Sequence, residues 1–137
     1  MTTIDMCGQV LVGLRIEYSV VLYFNGEWVV LLGGSFTLGT QGATHRFTPA
    51  VDPPDALKPM GNLLGQRVTQ AEIGDNGSLS ITFDDGSRLH AEPDPDYEAW
   101  NLSGPDGLVV VCMAGGTLAT WSGIAPAVDG DPPDGAG

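Results

Sequence analysis

The chain has 137 residues and carries 17 Asp and Glu against 5 Lys and Arg, a formal charge of −12. That balance excludes nucleic acid and anionic membrane as partners, because neutralising phosphates takes Lys and Arg; it suits a freely soluble domain or a basic partner. One domain of this length buries a sizeable core without disulfides or metals, and 20 Gly with 10 Pro announce many turns.

The first residues, Met1-Thr2-Thr3-Ile4-Asp5-Met6-Cys7, have neither a basic stretch nor an apolar run, so no signal peptide is expected. No segment reaches the roughly 18 apolar residues that span a bilayer. A cytoplasmic protein with reduced cysteines is therefore expected. Cys7 and Cys112 lie far apart, and Cys112, within Val109-Val110-Val111-Cys112-Met113, reads as a small buried hydrophobe.

From Gly8-Gln9 the chain runs to Ile16, turns, and continues through Val20, Leu22 and Phe24 to Gly26. From Gly65-Gln66 it does the same: to Ile73, a turn at Asp75-Asn76-Gly77, then Leu79, Ile81 and Phe83 to Gly86. Self-similarity of this kind predicts two copies of one supersecondary unit. Asn25-Gly26, Asn76-Gly77, Asp85-Gly86 and Asp106-Gly107 each separate apolar runs, which predicts β-hairpins with tight type I′ turns. Strands are expected at about 9–16, 19–24, 27–32, 35–40, 66–73, 78–83, 87–91, 98–103, 108–113 and 117–122.

The fold class that follows is all-β: two antiparallel β-meander repeats, about 8–48 and 65–122, packed as a sandwich or partly open barrel. A Pro-rich linker, 49–64, joins them, with room for one short helix from Pro59 to Leu64 stopped by Gly65. Residues 1–126 form the single domain, and the acidic tail 127–137 has almost nothing to bury and is expected to be disordered. Val20-Val21-Leu22-Tyr23-Phe24 and Trp28-Val29-Val30-Leu31-Leu32 are apolar on both faces. Such strands are central in a sandwich or are covered by another subunit, so self-association is expected.

Tyr97-Glu98-Ala99-Trp100, then Val110-Val111-Cys112, Gly115-Gly116 and Trp121, preceded by Phe83-Asp84-Asp85-Gly86-Ser87, resemble the signature of a small uncharacterised actinobacterial domain-of-unknown-function family (6188-like). The resemblance covers about residues 65–122. It implies a cytoplasmic β-rich domain and brings no catalytic residues.

No Gly-x-Ser-x-Gly elbow, Walker loop or dinucleotide fingerprint is present. Cys7, Cys112, His45 and His90 match no zinc spacing. His45, in a loop-like Ala-Thr-His-Arg stretch, and His90, in a strand, read as partly exposed polar residues. No catalytic, cofactor or metal site is assigned, and a non-enzymatic protein is favoured. The distinctive segment is acidic. Glu92, Asp94, Asp96 and Glu98 stand at every second position, but Pro93 and Pro95 between them favour polyproline II, in which the carboxylates fan out. The segment reads as an edge-protecting loop, a contact for a basic protein partner, or a weak calcium site. It has no Gly for an EF-hand bend, which favours the partner over the metal. A ligand site, if there is one, is expected at Glu98 and Trp100 with Trp121, joined by Arg15 or Arg88, each Arg having acidic neighbours; otherwise Trp100 and Trp121 cap the core. The first functional reading is thus an oligomeric interaction module presenting acidic loops, and the second a small-ligand-binding domain with its site between the repeats.

Overall fold

A computed structural model of the chain describes residues 2–40 and 42–121; the expected tail, 127–137, lies outside the described residues. The strands are β1 (Thr2–Thr3), β2 (Leu11–Ile16), β3 (Val20–Phe24), β4 (Val29–Leu32), β5 (Phe36–Thr40), β6 (Ala43–Phe47), β7 (Val68–Ile73), β8 (Leu79–Phe83), β9 (Arg88–Ala91), β10 (Trp100–Ser103), β11 (Val109–Cys112) and β12 (Leu118–Trp121). They form two six-stranded sheets, β1-β7-β8-β9-β5-β6 and β12-β11-β10-β4-β3-β2, with every named pair antiparallel. The architecture is a β-sandwich and not a closed barrel.

Alternation along the strands builds the core between the sheets. Val20, Leu22, Phe24, Val30, Leu32, Leu102 and Val110 point inward from one sheet and meet Phe36, Leu38, Ala71, Ile81, Phe83 and Leu89 from the other. The both-faces-apolar strands β3 and β4 are central, as their composition requires; the opposite sheet covers their inner face, and on their outer face Val21 is buried while Tyr23, Val29 and Leu31 are half-buried.

The connection between the sheets is less local than a pair of meanders suggests. Strands β2-β3-β4 lie in one sheet, and the chain then crosses so that β5 and β6 extend the other. Strands β7-β8-β9 lie in that second sheet, and β10-β11-β12 cross back to pair with β4. The entries to β2 and β7 are joined by backbone bonds that match between the two halves of the chain. Leu11 N–H donates to Gln66 O (3.0 Å) and Val68 N–H to Gln9 O (2.8 Å). Gly8 N–H donates to Val68 O and Gly65 N–H to Leu11 O, both at 2.8 Å. Val10 and Arg67 bridge each other, the Phe24 and Phe83 rings stack at 6.4 Å, and a bulge follows Leu11 in β2 and Val68 in β7.

Three local features differ from the sequence expectation. Five hairpin loops, among them the four at Asn-Gly and Asp-Gly, are not two-residue type I′ turns but three-residue loops. Phe24, Gly74, Phe83, Gly104 and Met113 each donate their N–H to the carbonyl four residues on. The third loop position has positive φ in all five, at Glu27, Gly77, Gly86, Gly107 and Gly116, as in the three-residue loops that end in a left-handed residue. The expected short helix is a 3-10 segment that starts earlier, Pro54–Leu63. Leu57, Met60 and Leu63, spaced by three, eclipse one another on its buried side, and Pro59 inside it denies an α-helix its hydrogen bond. The Ala-Thr-His-Arg stretch is no loop: it belongs to β6, an edge strand that buries only Phe47 of its five residues, so no apolar pattern marked it.

Glu27 is the one non-glycine at that third loop position, with φ +79°. Glu27→Gly is expected to stabilise the fold by about 1 kcal/mol in urea unfolding, by removing a left-handed side-chain residue; an unchanged or lower midpoint would contradict the assignment of strain. A second expectation separates φ from space. Gly77 and Gly86 share the same positive φ, but a Cβ on Gly77 would stand 2.4 Å from Gly116 O, while one on Gly86 would meet nothing within 4 Å. Gly86→Ala should cost about 1 kcal/mol and Gly77→Ala at least about 3, because only the second drives two packed loops apart. Equal losses in the same unfolding assay would show that the close approach carries no weight.

Candidate functional site

The two sheets present opposite chemistry on their outer faces. On the sheet containing β5 to β9, the outward rows in register are Glu72, Ser80, His90, Thr37 and Arg46, and beside them Gln70, Thr82, Arg88, Gly39 and Thr44. Each of these is polar, charged or glycine. On the other sheet the rows are Arg15, Val21, Leu31, Asn101, Val111 and Ala119, and Gly13, Tyr23, Val29, Ser103, Val109 and Trp121. Eight of these twelve are Val, Leu, Ala, Tyr or Trp, none is acidic, and the one charge, Arg15, stands on the edge strand beside Glu17 (3.9 Å). The Tyr23 ring lies across Gly13, whose absent Cβ would sit 3.6 Å from it.

The polar face carries a chain of hydrogen bonds. The loop 84–86 sets the β8–β9 register, and that register places Ser80 opposite His90 and Thr82 opposite Arg88. Ser80 Oγ bonds His90 Nδ1 at 2.8 Å. His90 Nε2 meets the Glu92 carboxylate. The Arg88 guanidinium donates to Ser80 Oγ at 3.2 Å. Both imidazole nitrogens are thereby engaged, and the ring is fixed in orientation. Ser80 is only 8% exposed and lies beneath the other three. Next to this chain Thr37, Gly39, Thr44, Arg88 and His90 line an open groove of about 320 Å³. The sequence carried the signal for this cluster in the spacing of Ser80 and His90 about the Asp85-Gly86 loop, but no catalytic or binding motif surrounds either residue.

The carboxylates of the acidic segment have different surroundings. Glu92 turns to His90. Asp94 Oδ1 accepts the N–H groups of Asp96 (2.8 Å) and Tyr97 (3.2 Å), closing an Asx-type turn. Gly115 N–H holds the Asp94 carbonyl at 2.8 Å. Asp96 and Glu98 are exposed. The three residues Glu98, Trp100 and Trp121 occupy different surroundings. Trp100 is buried in the core, with its indole N–H on Gly77 O at 3.0 Å. Trp121 is 55% exposed on the outer apolar face. Glu98 lies on the exposed turn before β10. Arg15 has an acidic neighbour, whereas Arg88 has a serine. Among the described residues neither Arg46 nor Arg88 has a carboxylate partner.

Among the described residues no three His, Cys, Asp or Glu stand close enough to hold a metal ion. Cys112 donates to Gly77 O at 3.3 Å, and burial pushes its thiol pKa up, so it stays a protonated structural group. A slot of about 300 Å³ opens at the edge of the sandwich between the sheets, walled by Trp28, Ile73, Leu102, Val110 and Leu118 with Asp5 at its rim. No described helix is long and apolar enough to cross a membrane.

No curated protein and no solved structure matches the chain. The match to DUF6188, a family of unknown function, spans residues 2–122 and so takes in all twelve strands, from β1 to β12, together with both outer faces. The chain belongs to DUF6188.

Proposed function

We propose that this protein is a non-enzymatic interaction module that pairs with a second copy of itself through the outer face of the β2–β4, β10–β12 sheet and offers its acidic turn to a basic protein partner. The observation that carries the reading is the contrast between the two outer faces. The outward rows of one are polar, charged or glycine; the other sets Leu31, Val111 and Ala119 beside Tyr23, Val29, Val109 and Trp121, with Val21 buried among them. A contiguous apolar sheet face on a small soluble domain marks an interaction surface.

Charge argues for a second copy as the occupant. Two chains of formal charge −12 repel wherever their carboxylates meet. The apolar rows contain no carboxylate, so two copies can close on them without burying like charges. A two-fold, self-complementary contact is the commonest way for identical chains to associate, and sheets pack face to face at about 10 Å with their strands nearly aligned. The exposed Asp96 and Glu98 stay outside that contact, where they act on encounter with a basic surface.

Sedimentation at micromolar concentration is expected to give a dimer. Val111→Lys, placed outward at the middle of β11, should give a monomer with an unchanged far-UV spectrum. A wild-type monomer, or a dimer that survives the substitution, would remove the interface from this face.

A further inference from the structure

Gly39 occupies the interior of β5, where glycine costs stability and contributes no side chain to the sheet. Backbone geometry does not demand it, since its φ is not positive. Crowding does not demand it either: a Cβ would stand 3.9 Å from Arg88 O and 4.0 Å from Thr44 Oγ1, which is ordinary contact. The other strand glycine, Gly13, has a visible reason in the Tyr23 ring that covers it. What Gly39 does is leave the floor of the groove open between Thr37, Thr44, Arg88 and His90.

The groups around that floor are donors. Arg88 spends one N–H on Ser80 Oγ; its guanidinium has five in all. In a chain with 17 carboxylates, Arg88 has no carboxylate partner among the described residues, and neither has Arg46, which stands opposite Thr37 in the register. Thr37 Oγ1 is 3.5 Å from the His90 carbonyl, at the outer limit of a hydrogen bond, so it can turn to a ligand at little cost. Glu92, just past the end of β9, is engaged by His90 Nε2. Ser80 holds both Arg88 and His90 from below and so sets the wall of the groove before a ligand arrives.

We propose that this groove binds the oxyanion, a phosphate or carboxylate, of a small molecule, with Arg88 as the charged clamp, the Thr37 and Thr44 hydroxyls as donors and Gly39 as the space that admits it. A guanidinium matches both anions as a two-pronged donor. The site lies on the sheet face opposite the proposed self-association surface, so the two are independent.

The test uses the intact chain at constant ionic strength, titrated separately with inorganic phosphate and with acetate and followed by backbone amide NMR. At least one anion should give saturable shifts at Thr37, Gly39, Thr44, Arg88 and His90, and whichever binds more tightly identifies the ligand group. Arg88→Gln should weaken that binding at least about tenfold, the loss of roughly one charge-assisted hydrogen bond. Gly39→Val should abolish it while keeping the β spectrum and without lowering the melting temperature, because the added Cβ makes only ordinary contacts in the strand. No saturable shift with either anion, shifts centred elsewhere, or binding unchanged in Arg88→Gln or Gly39→Val would each overturn the proposal. Should Gly39→Val not fold, the Arg88→Gln titration decides alone.

Discussion

Two short segments, Gly8–Leu11 and Gly65–Val68, hydrogen-bond to each other, and the sandwich depends on that contact. Leu11 and Val68 each donate to the glutamine of the opposite segment, and Gly8 and Gly65 each donate to the carbonyl at its far end. The segments are matched in sequence, so the bonds are matched in geometry, and the bulges that follow them bend β2 and β7 into separate sheets. From that corner each half of the chain lays three strands in one sheet and sends the next ones into the other. The β4–β10 and β5–β9 pairs then tie the halves together. Neither half has a complete six-stranded sheet without strands from the other, and the Phe24 and Phe83 rings stack beside that corner.

A second polar clamp closes the opposite part of the sandwich. The Gly77 carbonyl, in the β7–β8 loop of one sheet, accepts from Trp100 Nε1 and Cys112 Sγ of the other. A buried carbonyl left without a partner costs about 1–3 kcal/mol, so these two bonds favour one relative placement of the sheets over others. Gly77 and Gly116 meet back to back at the same place, and the Asp94 carbonyl is held there by Gly115. The acidic turn is therefore anchored to the end of the sandwich rather than hung from it.

Much of the fold was legible because it is local. Alternation of Leu79, Ile81 and Phe83 with Ser80 and Thr82, and glycines at the ends of the hairpin loops, specify strands and their neighbours within a hairpin. The pairing of β4 with β10 and of β5 with β9 was not legible, since it depends on which sheet a strand joins after the chain crosses, and no residue within the strand encodes that. β6 was missed because Ala43, Thr44, His45 and Arg46 are exposed on an edge strand and show no apolar period. The loop length was misread because Asp-Gly and Asn-Gly suit a three-residue loop with a left-handed last position as well as a two-residue one. Of the aromatics singled out, Trp100 and Trp121 alternate inward and outward on different strands, and parity within each strand, not proximity in the sequence, decides this. The polar cluster at Ser80, His90 and Arg88 was within reach, because the loop fixes their register, but a hydrogen-bonded serine and histidine on a sheet face leave no motif.

The two halves form one interlocked body joined at the Gly8–Leu11 and Gly65–Val68 contact. Native-state hydrogen exchange reads that joint residue by residue. The amides of Leu11 and Val68 are predicted to exchange only through global unfolding, with the same free energy as Leu22 in one half and Ile81 in the other. Exchange at Leu11 and Val68 through a smaller opening that leaves either half protected would contradict the interlock and return the molecule to two separable meanders.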